Sequence, residues 1–447
     1  MIHIYKSRGY NIVLDVNSGA VHAVSDAAYA LLEKYPDGLP EKLCEPVDGF
    51  GEEELLEAHA ELLELVKNGL LFSDDDYIDL EKVHFEQSPV KAMCLHIAHD
   101  CNLKCEYCFA DGGEYHQIRQ LMSFEVGKAA IDFLIAHSGK RRNLEIDFFG
   151  GEPLLNFEVV KQIVEYAESL EKRHDKNFRF TITTNGVLLT EDKMAYINEH
   201  MGNIVLSLDG RKEVNDRVRR RLDGSGCYDS ILPKFQKMAE LRNQDNYYVR
   251  GTFTRYNKDF DRDVLHLADL GFRQISVEPV TAPESAPYSL RECDLPEVME
   301  AYDRLCDAMV ERRKRGERFN FFHFMIDLDQ GPCVIKRLRG CGSGNEYVAV
   351  TPSGDIYPCH QFVGMEGYRM GSVLDGSFDE KIKTTFSKAN VYTKPECKNC
   401  WCKFYCSGGC NANNLQYGGD ILSPYRIGCE LQKKRVECAI ALKFEEA

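Results

Sequence analysis

Cysteine placement constrains this chain more than any other feature of its sequence. Of 18 cysteines, three fall in Cys101–Cys108 and five in Cys397–Cys410. A disulfide framework has no use for such crowding, whereas a metal cluster needs thiolates side by side. Cys101, Cys105 and Cys108 are spaced C-x3-C-x2-C, directly after an apolar run, Met93–Ala98, that reads as a strand. Three thiolates on one short loop hold three irons of a [4Fe–4S] cube and leave the fourth iron for a small molecule. A zinc knuckle, the other reading of the spacing, wants four local ligands.

The remaining composition is ordinary. The 447 residues are 44% hydrophobic and 28% charged, with room for roughly three domains at about 150 residues each. A formal charge of −16, from 71 acids against 55 bases, argues against a nucleic-acid partner. No apolar run reaches the ~20 residues of a membrane helix. Met1–Lys6 leads into strand-like sequence without a signal-peptide pattern, so the expectation is a cytoplasmic protein.

Along the chain, residues 1–80 read as a small unit. Strands are expected at Ile2–Tyr5, Tyr10–Asp15 and Ala20–Val24, helices at Ser25–Tyr35 and Glu52–Asn68, and a closing strand at Leu70–Phe72. An acidic linker from Asp74 to about Pro89 follows. From 90 to 315 strands and helices alternate. Strands are expected at Met93–Ala98, Leu144–Phe149, Phe178–Thr184, Ile204–Asp209, Val249–Thr254 and Gln274–Pro279. A helical stretch follows each, at Ser123–His137, Phe157–Arg173, Glu191–Glu199, Tyr228–Arg242, Asp261–Leu270 and Leu295–Arg315. Six such units imply an α/β fold with a parallel sheet, and six rather than eight imply an open, partial (β/α)6 barrel. In residues 316–447 this periodicity dissolves. Glycine, proline and cysteine dominate Gly331–Cys429, and ligand-to-metal bonds would have to supply stability there. A last helix is expected at Leu431–Phe444.

Three polar motifs sit at strand ends, where an active site of this architecture lies. Gly150-Gly151-Glu152-Pro153 follows the second strand, Thr183-Thr184-Asn185-Gly186 the third, and Ser207-Leu208-Asp209-Gly210 the fourth. Each alone reads equally as a turn. Arg219 lies in the basic run Arg217–Arg221, which also fits a solvated face. Near the C-terminus, Cys341 is followed by Gly354, Cys359, then C-x2-C-x5-C-x3-C at Cys397, Cys400, Cys406 and Cys410, and finally Cys429. Two zinc ribbons are the competing reading. Cys333 and Cys402 are extra to this spacing. Cys44, Cys94, Cys227, Cys293, Cys306 and Cys438 are read as inert core thiols.

Together these features resemble the radical SAM superfamily. The resemblance implies that Cys101, Cys105 and Cys108 hold a catalytic [4Fe–4S] cluster that binds S-adenosylmethionine (SAM). It implies that Gly150, Gly151, Glu152 and Pro153 meet the SAM amino group, that Thr184, Asn185, Ser207 and Asp209 lie around SAM, and that Arg219 meets its carboxylate. The seven C-terminal cysteines resemble a SPASM domain with two auxiliary clusters. By order, Cys341, Cys359 and Cys410 would hold one cluster, and Cys397, Cys400, Cys406 and Cys429 the other, which makes three [4Fe–4S] clusters in all. Residues 1–80 resemble the winged-helix-like RiPP recognition element that binds peptide leaders. Tyr10–Val24, His96–Phe109 and Asn143–Asn156 are similar to maturases of cysteine-rich SCIFF precursor peptides. Those enzymes join a cysteine sulfur to a carbon of another residue, typically threonine. The partners this implies are a leader-bearing, cysteine-rich peptide and an electron donor such as flavodoxin or ferredoxin. An anaerobic sulfatase-maturing enzyme shares the cluster layout, and a redox carrier would need no GGEP loop.

Overall fold

The computed structural model describes residues 1–75, 88–115, 117–328 and 334–445. The linker expected up to Pro89 falls largely outside them, as does Cys333. At the N-terminus, Ile2–Ser7, Tyr10–Asp15 and Val21–Val24 form a three-stranded antiparallel sheet in chain order. Helix Asp26–Lys34 starts where the Ser25 side chain accepts from the Ala28 N–H, satisfying one of the unpaired donors of its first turn. The central strand is buried on both faces. Val13 packs with Leu31, Leu32, Leu55 and Leu62 of the unit's own two helices, Asp26–Lys34 and Glu52–Lys67. Ile12 and Leu14 face the other way, onto Val436 and Ile440 of the C-terminal helix. The closing strand expected at Leu70–Phe72 does not form. Positive φ at Gly69 (+68°) and Phe72 (+53°) turns the chain there, and Leu71 drops into the helix cluster instead of an extended edge.

The central sheet follows the expected alternation. Ala92–His99, Asn143–Gly150, Asn177–Thr184, Asn203–Ser207, Tyr247–Phe253 and Gln274–Pro279 lie side by side, all parallel and in chain order. Helices Phe124–His137, Phe157–His174, Glu191–His200, Tyr228–Leu241 and Phe260–Asp269 connect them, and Leu295–Lys314 follows the last. Alternation along each strand separates two faces. Leu144, Ile146 and Phe148 pack on Val160, Ile163 and Val164 of a covering helix. Asp147, Thr181, Arg250 and Ser276 line the opposite, inner face.

Two additions were not legible. Asn320–Phe321 extends the sheet beyond Gln274–Pro279. On the other edge Tyr347–Val350 pairs parallel with Ala92–His99 and leads into the antiparallel Asp355–Tyr357, Gly371–Ser372 and Ser377–Phe378. The cysteine-rich region is thus anchored on the first strand of the central sheet. The final helix is Arg426–Phe444, starting earlier than its apolar pattern because Arg426–Glu430 carries little apolar periodicity. It packs along Leu295–Lys314, where Arg435 Nε donates to Tyr302 Oη at 2.8 Å. Among the described residues no helix is long and apolar enough to cross a membrane.

Candidate active site and metal centres

A register shift between His96 and Ala98 bends the end of the first strand into the loop that carries Cys101, Cys105 and Cys108. A short strand within that loop, Leu103–Cys105, pairs antiparallel with Arg219–Arg221, placing Arg219 opposite Cys105. The pairing explains why the basic run is not uniformly solvated. Arg219 is 9% exposed, while Arg217 and Arg220 on either side are exposed. A cavity of about 150 Å³ is lined by Cys101, Cys105, Cys108, Gly150, Gly151 and Arg219, with Glu152, Thr183, Thr184, Asn185 and Ser207 completing its wall.

The Gly150–Gly151 turn lies directly on the cysteine loop. A Cβ on Gly150 would come within 2.3 Å of the Ala98 carbonyl, and one on Gly151 within 2.0 Å of the Asp100 carbonyl, so no side chain fits at either position. Gly151 N–H donates to Ala98 O at 2.7 Å and Glu152 N–H to Asp100 O at 2.9 Å. The Glu152 carboxylate is wholly engaged, accepting from Leu154 N at 3.0 Å, Thr184 Oγ1 at 2.8 Å and Asn185 N at 2.8 Å. It therefore ties the ends of the second and third strands together. Asn185 Nδ2 reaches Asn102 Oδ1 at 2.8 Å and Cys101 Sγ at 3.7 Å.

Asp209 and Pro153 do not line the cavity. Pro153 is buried at the start of a short 3₁₀ turn. Asp209 accepts from Tyr107 Oη at 2.7 Å and Thr252 N at 3.0 Å, and lies 3.8 Å from Arg219 Nη1. It stands behind Arg219 and holds it in place. Tyr107, which sequence reasoning did not single out, links the two, since Arg219 Nη1 donates to its hydroxyl at 2.7 Å. Its place between two loop cysteines was the available signal.

Burial pushes the Cys101 and Cys105 thiols up to about 12 each, so without a metal they stay protonated. Iron binding favours the thiolate instead. Cys101, Cys105 and Cys108 line one cavity, and a four-iron cube takes its thiolates at separate corners, so this donor set fits a cluster. Among the described residues Arg219 Nε is buried without a partner, and a bound carboxylate would satisfy that donor side of the cavity.

The C-terminal cysteines lie close together, and Cys410 of one expected set lines a cavity with Cys406 and Cys429 of the other. Cys359 feels the charges of Cys410 and Cys341. Cys397, Cys400, Cys406 and Cys429 line a single cavity of about 640 Å³, and Cys429 feels the other three. Cys402 is 1% exposed and packs with Ile12, Leu14 and Val436, and it also borders that cavity. Cys94, Cys227, Cys306 and Cys438 are buried, but Cys44 and Cys293 are exposed loop thiols rather than core ones.

Residues 95–249 match the profile of the Radical SAM superfamily, and residues 341–401 that of an iron–sulfur cluster-binding domain, SPASM. The chain has a radical SAM fold with a C-terminal SPASM domain. These domains imply a SAM-binding [4Fe–4S] cluster and auxiliary clusters. The chain is 26% identical over 337 residues to a cysteine-type anaerobic sulfatase-maturating enzyme of Clostridium novyi, covering 70% of this chain and 86% of that one. In structure it is similar to anSMEcpe with bound AdoMet, with TM-score 0.64, 20% identity, and coverage of 80% of this chain and 99% of that one. It is also similar to Streptococcus suis SuiB bound to its precursor peptide SuiA, with TM-score 0.53, 16% identity, and coverage of 93% and 95%.

Proposed function

We propose that this radical SAM protein is a peptide maturase that forms an intramolecular thioether, joining a cysteine sulfur to a threonine carbon in a short cysteine-rich SCIFF precursor. The observation that carries this reading is the N-terminal unit. The likeness to SuiB, solved with a precursor peptide, spans 93% of the chain, whereas the likeness to anSMEcpe leaves a fifth of it unmatched. A leader-binding module at the N-terminus would account for chain beyond the share that anSMEcpe, itself solved with peptides bound, covers. One of the two edge strands of the N-terminal sheet, Val21–Val24, offers a place for a leader to add as a strand.

Cys101, Cys105 and Cys108 would hold the cluster, which when bound would supply the electron for reductive cleavage of SAM. The chain's own residues orient the reactants. The Gly150–Pro153 loop brings backbone carbonyls to the amino group, Arg219 meets the carboxylate, and Thr184, Asn185 and Ser207 border the adenosyl side. The overall change in the peptide is loss of one hydrogen atom from the acceptor carbon and of one proton and one electron from the thiol, with one C–S bond formed. The inner face of the barrel keeps water from the carbon radical. An electron donor of the flavodoxin or ferredoxin type completes the cycle.

The test uses a short cysteine-dense SCIFF-type precursor peptide carrying its leader. Incubated with enzyme, SAM and dithionite, it should lose two hydrogens by mass and yield 5′-deoxyadenosine. Replacing Cys101, Cys105 and Cys108 by Ala should abolish both while auxiliary iron stays bound. Oxidation of a sulfatase-derived peptide with no change in the cysteine-dense one would favour the sulfatase-maturing alternative and overturn this reading.

A further inference from the structure

Lys394 is 1% exposed, among the most deeply buried charged side chains of the SPASM domain. Its ammonium donates to Gly408 O at 2.7 Å and to Asn411 Oδ1 at 3.0 Å, both neutral acceptors, and no carboxylate reaches it among the described residues. Nearby Lys403, equally buried, shows the usual solution: it is paired with Asp75 at 2.8 Å. A buried ammonium without a counter-charge is expensive, and buried charges are as a rule paired or placed beside metal centres. Its backbone carbonyl accepts from Cys397 N at 3.0 Å, and the turn its ammonium binds joins Cys406 of one cysteine set to Cys410 of the other. Burial pulls its ionisation down, and the cysteine sulfurs around it act in the opposite direction.

The backbone it grips belongs to both sets. Ser407, Gly408 and Gly409 all have positive φ, forming the tight turn between Cys406 and Cys410. Gly408 O also accepts from Asn414 Nδ2 at 3.1 Å. A Cβ on Gly408 would lie 3.1 Å from the Lys394 Nζ, so ammonium and turn are in direct contact.

We infer that Lys394 is the shared counter-cation of the two auxiliary clusters and holds their reduction potentials up. A thiolate-ligated cluster is anionic and gains another negative charge on reduction, so a fixed, desolvated positive charge between two of them favours the reduced form of both. An auxiliary cluster that must accept an electron from the peptide gains from a raised potential. The inference rests on the assignment of the seven cysteines to clusters, which iron and sulfide analysis tests separately.

The experiment uses the full chain with Cys101, Cys105 and Cys108 replaced by Ala, so that only auxiliary signals remain, and reads midpoint potentials by EPR-monitored redox titration. Lys394→Gln keeps a hydrogen-bond donor and removes the charge. It should lower electron affinity about tenfold, a shift of ~60 mV for a one-electron couple. Lys394→Arg should stay near the parent value. Full iron content with unmoved potentials in Lys394→Gln, or equal shifts in both variants, would overturn the inference. If Lys394→Gln takes up no iron, the Arg variant decides. Loading near the parent level then supports a requirement for charge, and failure to load shows that the shape of lysine matters instead. A parent protein without auxiliary iron would remove the cysteine assignment, and this inference with it.

Discussion

Tyr107 sits between two loop cysteines, and its hydroxyl both donates to Asp209 and accepts from Arg219. Removing it leaves a buried guanidinium and a buried carboxylate each short of a partner, at a cost of about 1–3 kcal/mol. Tyr107→Phe should therefore loosen Arg219 and weaken SAM binding about tenfold in equilibrium dialysis of the reconstituted protein, with cluster content unchanged. Undiminished affinity would show that Arg219 does not depend on this bridge. Asp147 is a second residue with a measurable signature. It stands opposite Cys94 in the register of the first two strands, and burial, with help from Glu145, raises its carboxyl to about 7. The unfolded value is about 3.9. The folded state thus holds a proton that the unfolded state releases, and stability falls as pH rises from about 4 to about 7. Asp147→Asn should raise the melting temperature relative to the native chain at about pH 8 and leave it nearly unchanged at about pH 4.5.

At the scale of elements, the N-terminal sheet has a definite free edge. Asp15 N–H donates to Ala20 O, and the pairs Val13↔His22 and Asn11↔Val24 follow in register. Antiparallel alternation then turns the backbone groups of Val21 and Ala23 outward. Neither makes a backbone bond outside the sheet among the described residues. Ala23→Pro places the ring at an outward N–H that the sheet does not use. It should weaken leader binding at least tenfold in a titration and leave SAM cleavage intact. Unaltered leader affinity would move the docking site elsewhere.

At the scale of the molecule, the N-terminal unit, the SPASM domain and the barrel share buried surfaces. His3 stacks on Trp401 at 3.7 Å between ring centroids, and Tyr5 Oη donates to Glu437 O at 3.1 Å. Ile12 and Leu14 are covered by the last helix, each worth roughly 1.5–3 kcal/mol of burial. Deleting the unit would uncover that face, so a point change at the sheet edge is the cleaner test of leader binding. The barrel has its own large apolar core, whereas the segment from Glu380 to Pro424 is short helices and turns around cysteines. Removing iron under anaerobic conditions should make that segment the first site of limited proteolysis, with a fragment spanning the barrel resisting longest. Equal protection of the segment with and without iron would show that packing alone holds it.

What the sequence determined by itself is what contiguous residues control. Strand and helix periods place the six parallel strands to within a residue or two, and loop spacing singles out Cys101, Cys105 and Cys108, which the structure brings to one cavity. Both follow from covalent neighbours, which share one local geometry. The closing strand at Leu70–Phe72 failed because left-handed backbone at Gly69 and Phe72, not side-chain pattern, set that turn. The tertiary structure alone decided which member of Arg217–Arg221 turns inward, because that depends on pairing with Cys105. It alone placed Tyr347–Val350 beside the first strand and the Lys394 ammonium on the turn between Cys406 and Cys410. Contacts of that kind join residues far apart in the chain. They are selected by which buried surfaces and charges complement each other once the chain has closed, and no local pattern encodes them.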